Sequence, residues 1–270
     1  MTPREGPLRW LDQGPGRAPL PLFLPGPGDS ALDAAWRLLA EAPWPPFGSL
    51  FMESQSAGRG RGGRPWVSPA GHIYAALLLP SAPPFDGPGA ALALAWFLAE
   101  ALDEGGWSLL LKWPNDLLLK GGKTAGILLE ARRGLVVAGV GLNLGLPPPG
   151  VERGPGRPPA AALPGAPPPL ELWSELVKNI SLRYNSKIAP WTMAETAAEA
   201  EKRLWRLNRP VRVLGPVAEP PTESRELAGR LAGLGPEGQL LLAHGGRLSR
   251  IWSGALVRDG EKWEEENDDR

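Results

Sequence analysis

The chain has 270 residues, 43% of them hydrophobic, and its 29 basic and 29 acidic side chains leave no formal net charge. It has no cysteine and only two histidines, His72 and His244, which excludes disulfides, thiolate catalysis, cysteine-ligated metals and a histidine-rich metal centre. The balanced charge argues against a general nucleic-acid binder, and no apolar run reaches the roughly 18 residues that cross a bilayer. With no basic-then-apolar leader at its start, the chain is expected to be soluble and cytoplasmic.

Residues 1–28 are rich in proline and glycine, and Leu20–Leu24 is predicted as a first, edge strand, where proline is tolerated. Asp29-Ser30 stands before Leu32, Ala35, Trp36 and Leu39, a capped helical pattern over about 30–42. Ser49–Glu53 and His72–Leu79 read as strands, and Ala90–Leu102 as a buried helix. Leu109–Trp113, Ala125–Glu130 and Leu135–Leu142 read as three consecutive strands of a largely antiparallel sheet.

Residues 146–169 lack periodicity and read as a long loop. Leu170–Tyr184 and Thr192–Leu207 are predicted helices. From Pro210 onward, Val211–Leu214, Glu226–Ala232, Gln239–Ala243 and Arg247–Ser253 are short strands between glycine-rich turns, which predicts a small β-barrel or sandwich. Glu261–Arg270 is acidic and polar, the pattern of a frayed tail. The fold class expected is α+β, a mixed and largely antiparallel sheet with flanking helices plus the small β unit.

Two segments carry the candidate chemistry. In Gly58-Arg59-Gly60-Arg61-Gly62-Gly63-Arg64-Pro65-Trp66, glycines let the backbone approach a ligand and arginines supply planar donors for phosphate or carboxylate. Trp66 can stack on a base. The same composition also suits a flexible linker or a nucleic-acid contact. As a lid, it is expected to order only around ligand.

Lys112 ends an apolar strand and is followed by Trp113-Pro114-Asn115-Asp116. An anion would explain a lysine there, although it can also snorkel to the surface. Asn115 and Asp116 suit a ribose, a phosphate or a metal-bound water, or simply cap the turn after Pro114. Gly126 and Gly141 fall inside strands, as glycines do where a ligand or backbone comes close. Asn143 and Lys123 are further candidate contacts, each equally readable as a loop or hairpin residue. Each histidine reads as structural or solvated rather than catalytic. Together the segments suggest a pocket for an anionic, adenylate-like ligand.

In order and spacing, four pieces resemble biotin protein ligases: Glu53–Pro69, Lys112–Asp116, Lys123–Glu130 and Gly139–Asn143. Ile251-Trp252-Ser253-Gly254 is similar to part of that family's last domain. The resemblance covers roughly 20–258. It implies a class II synthetase-like catalytic domain (1–208), an SH3-like C-terminal domain (209–258) and an acidic tail (259–270). It also implies a ligase that uses ATP and Mg²⁺ to convert biotin to biotinyl-5′-AMP and passes biotin to a lysine of a biotin carboxyl carrier protein. A lipoate or octanoate ligase is the near neighbour, and a non-catalytic adenylate-binding protein the reading from another class.

Carried over residue by residue, Lys112 and Arg61 take the catalytic positions. Ser30, Gln55, Gly58, Arg59, Gly60, Arg61, Lys112 and Gly126 take biotin-binding positions, while Arg64, Trp66, Asn115, Asp116, Lys123 and Asn143 lie on the nucleotide side. No dedicated metal ligand is implied, since Mg²⁺ would be held largely by phosphates. Where the family has Thr and Asn after the serine, this chain has Ala31 and Leu32. About 20 residues precede the first predicted strand, so no DNA-binding module is expected; neither is membrane association, and a homodimer is compatible with the pattern.

Overall fold

The structure, a computed structural model, describes residues 8–149, 157–187, 189–215 and 226–259. In chain order its elements are β1 (Leu8–Leu11), β2 (Leu20–Phe23), α1 (Ala31–Glu41), β3 (Ser49–Met52), β4 (Ile73–Leu79), α2 (Ala90–Asp103), β5 (Leu110–Lys112), β6 (Asp116–Leu119), β7 (Gly122–Arg132), β8 (Leu135–Leu142), α3 (Pro169–Tyr184), α4 (Met193–Glu201), β9 (Pro210–Leu214), β10 (Glu226–Leu234), β11 (Leu240–His244), β12 (Arg247–Ile251) and β13 (Ala255–Arg258). The chain divides into two compact units: Met1–Ala82 with Thr124–Val151 and Ala162–Pro190, and Pro83–Lys123 with Glu152–Ala161 and Trp191–Arg270. The fold is mixed α+β and mostly antiparallel, as expected.

In the first unit the strands run in the order β1-β2-β3-β4-β8-β7. Only β2 and β3 pair in parallel; the remaining neighbours are antiparallel. All seven residues of β4 are buried, as a strand covered on both faces requires. Tyr74, Ala76 and Leu78 join Leu50, Met52 and Val137 against Ala31, Leu32, Ala34 and Ala35 of α1. That helix starts where the sequence places it, because Ser30 caps it by accepting a hydrogen bond from the Asp33 N–H. The apolar side of α3 buries Leu172, Trp173, Leu176, Val177 and Ile180 and packs on β3 and β4.

One expectation here is corrected. Leu20–Phe23 is not an edge strand, because β1 pairs outside it, Trp10 opposite Pro21. Strand β1 lies in proline- and glycine-rich sequence and three of its four residues are exposed, so it carries no hydrophobic period to read. His72 is structural, as expected: its Nδ1 accepts the Leu144 N–H at 3.1 Å. Burial pushes its pKa down, so the neutral ring is favoured.

In the second unit, α2 packs against α4, β5 and β6. Residues of β5 and β6 pair as a hairpin, with Lys112 opposite Asp116 and Leu110 opposite Leu118. Strand β6 was not expected from the sequence, where Asn115 and Asp116 read as ligand contacts or as caps of the turn after Pro114. The second helix predicted over Thr192–Leu207 is shorter, Met193–Glu201. Beyond it the Leu111 N–H bonds Arg203 O and the Trp205 N–H bonds Leu111 O, both at 2.8 Å, so this backbone pairs with a strand instead of continuing the helix. A five-stranded antiparallel sheet, β12-β11-β10-β9-β13, completes the unit. It contains the four predicted strands and one more, β13. The acidic tail beyond Asp259 and residues 150–156 of the proline-rich loop lie outside the described residues.

Candidate functional site

The arginine segment folds back on itself. Gln55 N–H bonds Ser68 O, Trp66 N–H bonds Gly58 O, and Gly60 N–H bonds Arg64 O at 2.7 Å. A short 3-10 turn, Arg61–Gly63, closes the ribbon, with Gly62 and Gly63 at φ of 68° and 72°, where a side chain would be strained. The backbone of this predicted lid thus pairs with itself. Gly58 serves close approach: a Cβ there would lie 2.7 Å from both Ser68 Oγ and Trp66 O.

The base of the ribbon is tied to the start of α1. Gln55 Oε1 accepts the Ala31 N–H at 2.8 Å and its Nε2 donates to Ser68 Oγ at 2.9 Å. Arg59 forks onto Asp33, donating at 2.5 and 2.8 Å, and reaches Glu130 Oε1 at 3.3 Å. This pairing holds the Asp33 carboxyl below the usual range and raises the Arg59 pKa. The guanidinium of Arg59, which the resemblance puts on the biotin side, faces two carboxylates of its own unit. Asp33 and Glu130 had no assigned role, and only the placement of Asp33 in a first helical turn and of Glu130 at the end of an apolar run marked them.

The ribbon's exit residue, Trp66, packs on the sheet. A Cβ at Gly141 would lie 2.5 Å from Trp66 Cε2, and Gly126 is the cross-strand partner of Gly141. Gly139 is covered by Leu32, whose Cγ would lie 2.8 Å from an added Cβ. The in-strand Gly141 was read as marking close approach of a ligand or backbone, and what approaches it is the Trp66 ring. Ala31 and Leu32, where this chain departs from the family pattern, are core residues. Gly141→Ala is expected to displace Trp66 and to cost about 1–3 kcal/mol, the usual range for overpacking. A lowered urea midpoint at unchanged slope would report it, and an unchanged midpoint would mean that Trp66 does not depend on the glycine.

A second set lies in the other unit. Lys112 and Asn115 are buried. The Lys112 ammonium is 3.6 Å from Asp116 Oδ2, and Lys123 pairs with Asp116 Oδ1. Both ammoniums thus converge on one carboxylate in a nearly buried position, where charges act far more strongly than at the surface. Asp116, expected to face nucleotide, offers both oxygens to lysines and so fixes where the ammoniums sit. The Trp113 indole donates to Gly238 O at 3.0 Å, which fixes the hairpin loop that carries Asn115. Lys123 is anchored through its backbone: its N–H bonds Pro159 O at 2.7 Å and its carbonyl accepts from Ala161. This part of the proline-rich segment is therefore pinned rather than loose.

In the first unit Asn143 is buried. Its N–H bonds Thr124 O and its carbonyl accepts from Leu163, both at 2.9 Å. Of the predicted site residues, Ser30, Gln55, Gly58, Arg59, Gly60, Arg61, Arg64, Trp66, Gly126 and Asn143 thus belong to the first unit. Lys112, Asn115, Asp116 and Lys123 belong to the second.

The model of the Biotin/lipoate A/B protein ligase family matches residues 30–146. Over 139 residues the chain is 42% identical to a biotin--[acetyl-CoA-carboxylase] ligase of Paracoccus denitrificans, covering 47% of this chain and 52% of that protein. The match therefore spans about half the length of that relative. Over 223 residues it is 31% identical to the Mycobacterium tuberculosis protein of the same name, covering 77% of each. Among solved structures, the biotin protein ligase of Aquifex aeolicus in complex with biotin and ATP aligns with a TM-score of 0.71 and 26% identity, over 87% of this chain and 97% of that one.

Proposed function

The chain belongs to the biotin protein ligase family, and from that premise we propose that it activates biotin with ATP and ligates it to a lysine of a biotin carboxyl carrier protein. The observation that carries the reading is the pair of ammoniums, Lys112 and Lys123, fixed around Asp116 at the end of an apolar strand. In the first step a carboxylate oxygen of biotin attacks the α-phosphorus of ATP and pyrophosphate leaves with the broken P–O bond. Both reactants are anions, and a preorganised ammonium at Lys112 offsets the charge that gathers in the transition state. Biotinyl-5′-AMP results. In the second step the amine of the acceptor lysine attacks its carbonyl carbon, AMP departs with the C–O bonding pair, and the amine loses a proton as the amide forms.

The remaining side chains are given their parts on the same premise. Ser30, Gln55, Gly58, Gly60 and Gly126 serve the biotin side. In the first unit Arg61 and Arg64, at the turn of the ribbon, are given the adenylate side together with Trp66 and Asn143, and keep water from the anhydride; in the second unit Asn115 and Lys123 are given the same side. Among the described residues no three His, Asp or Glu side chains converge on a metal position, and Asp116 is already neutralised by lysines. An ion arriving on ATP phosphates is the form of metal that the described residues accommodate. We read the five-stranded sheet as the family's SH3-like C-terminal domain, residues 209–258, following a catalytic domain over 1–208.

The test is pyrophosphate exchange. Radiolabelled pyrophosphate should enter ATP only when biotin is present. Exchange driven by lipoate and not by biotin would transfer the proposal to the neighbouring ligases, and exchange with neither would end it.

A further inference from the structure

We propose that Asp33 and Glu130 are positioning residues, which hold Arg59 and so set the base of the arginine ribbon before any ligand arrives. The fork from Arg59 to Asp33 uses both terminal nitrogens, the geometry in which an arginine–carboxylate pair is directional as well as charged. Glu130 is itself fixed. Its Oε2 accepts from Trp36 Nε1 at 2.9 Å and from Arg132 Nη2 at 2.6 Å, while the Arg132 guanidinium lies 4.8 Å from the Trp36 ring centroid. Asp33 is held in the first turn of α1. Arg59, Arg132, Asp33 and Glu130 together carry no net charge, so this network does not call for an external anion. A single exposed ion pair adds little to stability. A bidentate pair inside a network of fixed partners instead decides where a flexible, glycine-rich segment rests.

The consequence is a division of labour within the ribbon. Arg59 anchors its base, and Arg61 sits at the turn. A loop anchored at its base has fewer conformations to lose when its tip closes, so the bound intermediate is retained longer. This second consequence rests on the adenylate-forming reading; the anchoring itself does not.

The test compares the wild-type chain with the double variant Asp33→Asn, Glu130→Gln. Both acids are partly exposed, and the variant should melt within a few degrees of the wild type. Trypsin cleavage after Arg61 in the ligand-free protein should rise about tenfold, as expected when a local opening becomes easier by a factor of ten. Release of biotinyl-5′-AMP should quicken by a similar factor, with the rate of its formation little changed. Adding Arg59→Ala to the double variant should raise cleavage no further, because the partners through which Arg59 acts are already gone, and a further rise would overturn the anchor. Unchanged cleavage in the double variant overturns the anchor. Faster cleavage with unchanged release overturns its service to the reaction. A wild-type chain that forms no intermediate would refute the ligase reading and leave the cleavage result to decide the anchor alone.

Discussion

Replacing Lys112 by alanine lowers biotin-dependent ATP–pyrophosphate exchange by about 10²–10³-fold, the usual cost of removing one preorganised group aimed at transition-state charge. The side chain is buried at the end of β5, and its ammonium is set by Asp116. It therefore needs no reorganisation when charge develops. The fold should survive the change. Asp116 keeps its ion pair with Lys123, the β5–β6 register rests on backbone pairing, and the Trp113 indole still holds Gly238. Circular dichroism should match the wild type. Full exchange activity in a folded Lys112→Ala variant would show that the lysine has been given the wrong task.

Arg61→Gly should leave the intermediate forming but poorly held. Arg61 opens the 3-10 turn at the end of the ribbon, and its backbone carbonyl accepts from Arg64 Nε at 3.1 Å, so glycine there loosens the turn and removes a guanidinium together. Loss of charge-assisted hydrogen bonds, about 1.5–3 kcal/mol, corresponds to escape of the adenylate roughly 10–100 times faster. A reactive anhydride set loose acylates exposed amines indiscriminately. The readout is biotin on bystander lysines of an unrelated protein in the same tube, rising with time in the variant and near background in the wild type. Equal background in both would argue that the ribbon does not retain the intermediate.

Both variants concern residues that could be picked out of the sequence, because each breaks a local rule: a lysine closing an apolar strand, and arginines alternating with glycines. The elements that set the fold were legible for the same reason. Helix α1 has a capping serine and an apolar period, and β4 and β8 are apolar runs between turn residues. What could not be read was context. Strand β1 pairs through its backbone with little apolar pattern, and β6 follows a loop that looked like the end of a strand. The helix after Thr192 stops where its backbone finds a strand partner, a tertiary choice that periodicity does not encode. At the site, residue types were visible and their pairings were not. The alternation of Arg59 and Arg61 suggests equivalent duties; only the position of Asp33 and Glu130 separates them. In the same way, the in-strand glycine at 141 signals close approach without saying that Trp66 is what approaches.

Joining of biotin to a carrier lysine at the expense of ATP can be followed on the acceptor itself, by incubating the purified chain with ATP, Mg²⁺, biotin and an isolated carboxyl-carrier domain and measuring the intact mass of the carrier. Each carrier should gain one biotinyl group, located on a single lysine and absent when ATP or biotin is withheld. A carrier whose mass does not change, or changes only when lipoate replaces biotin, would contradict the proposed function.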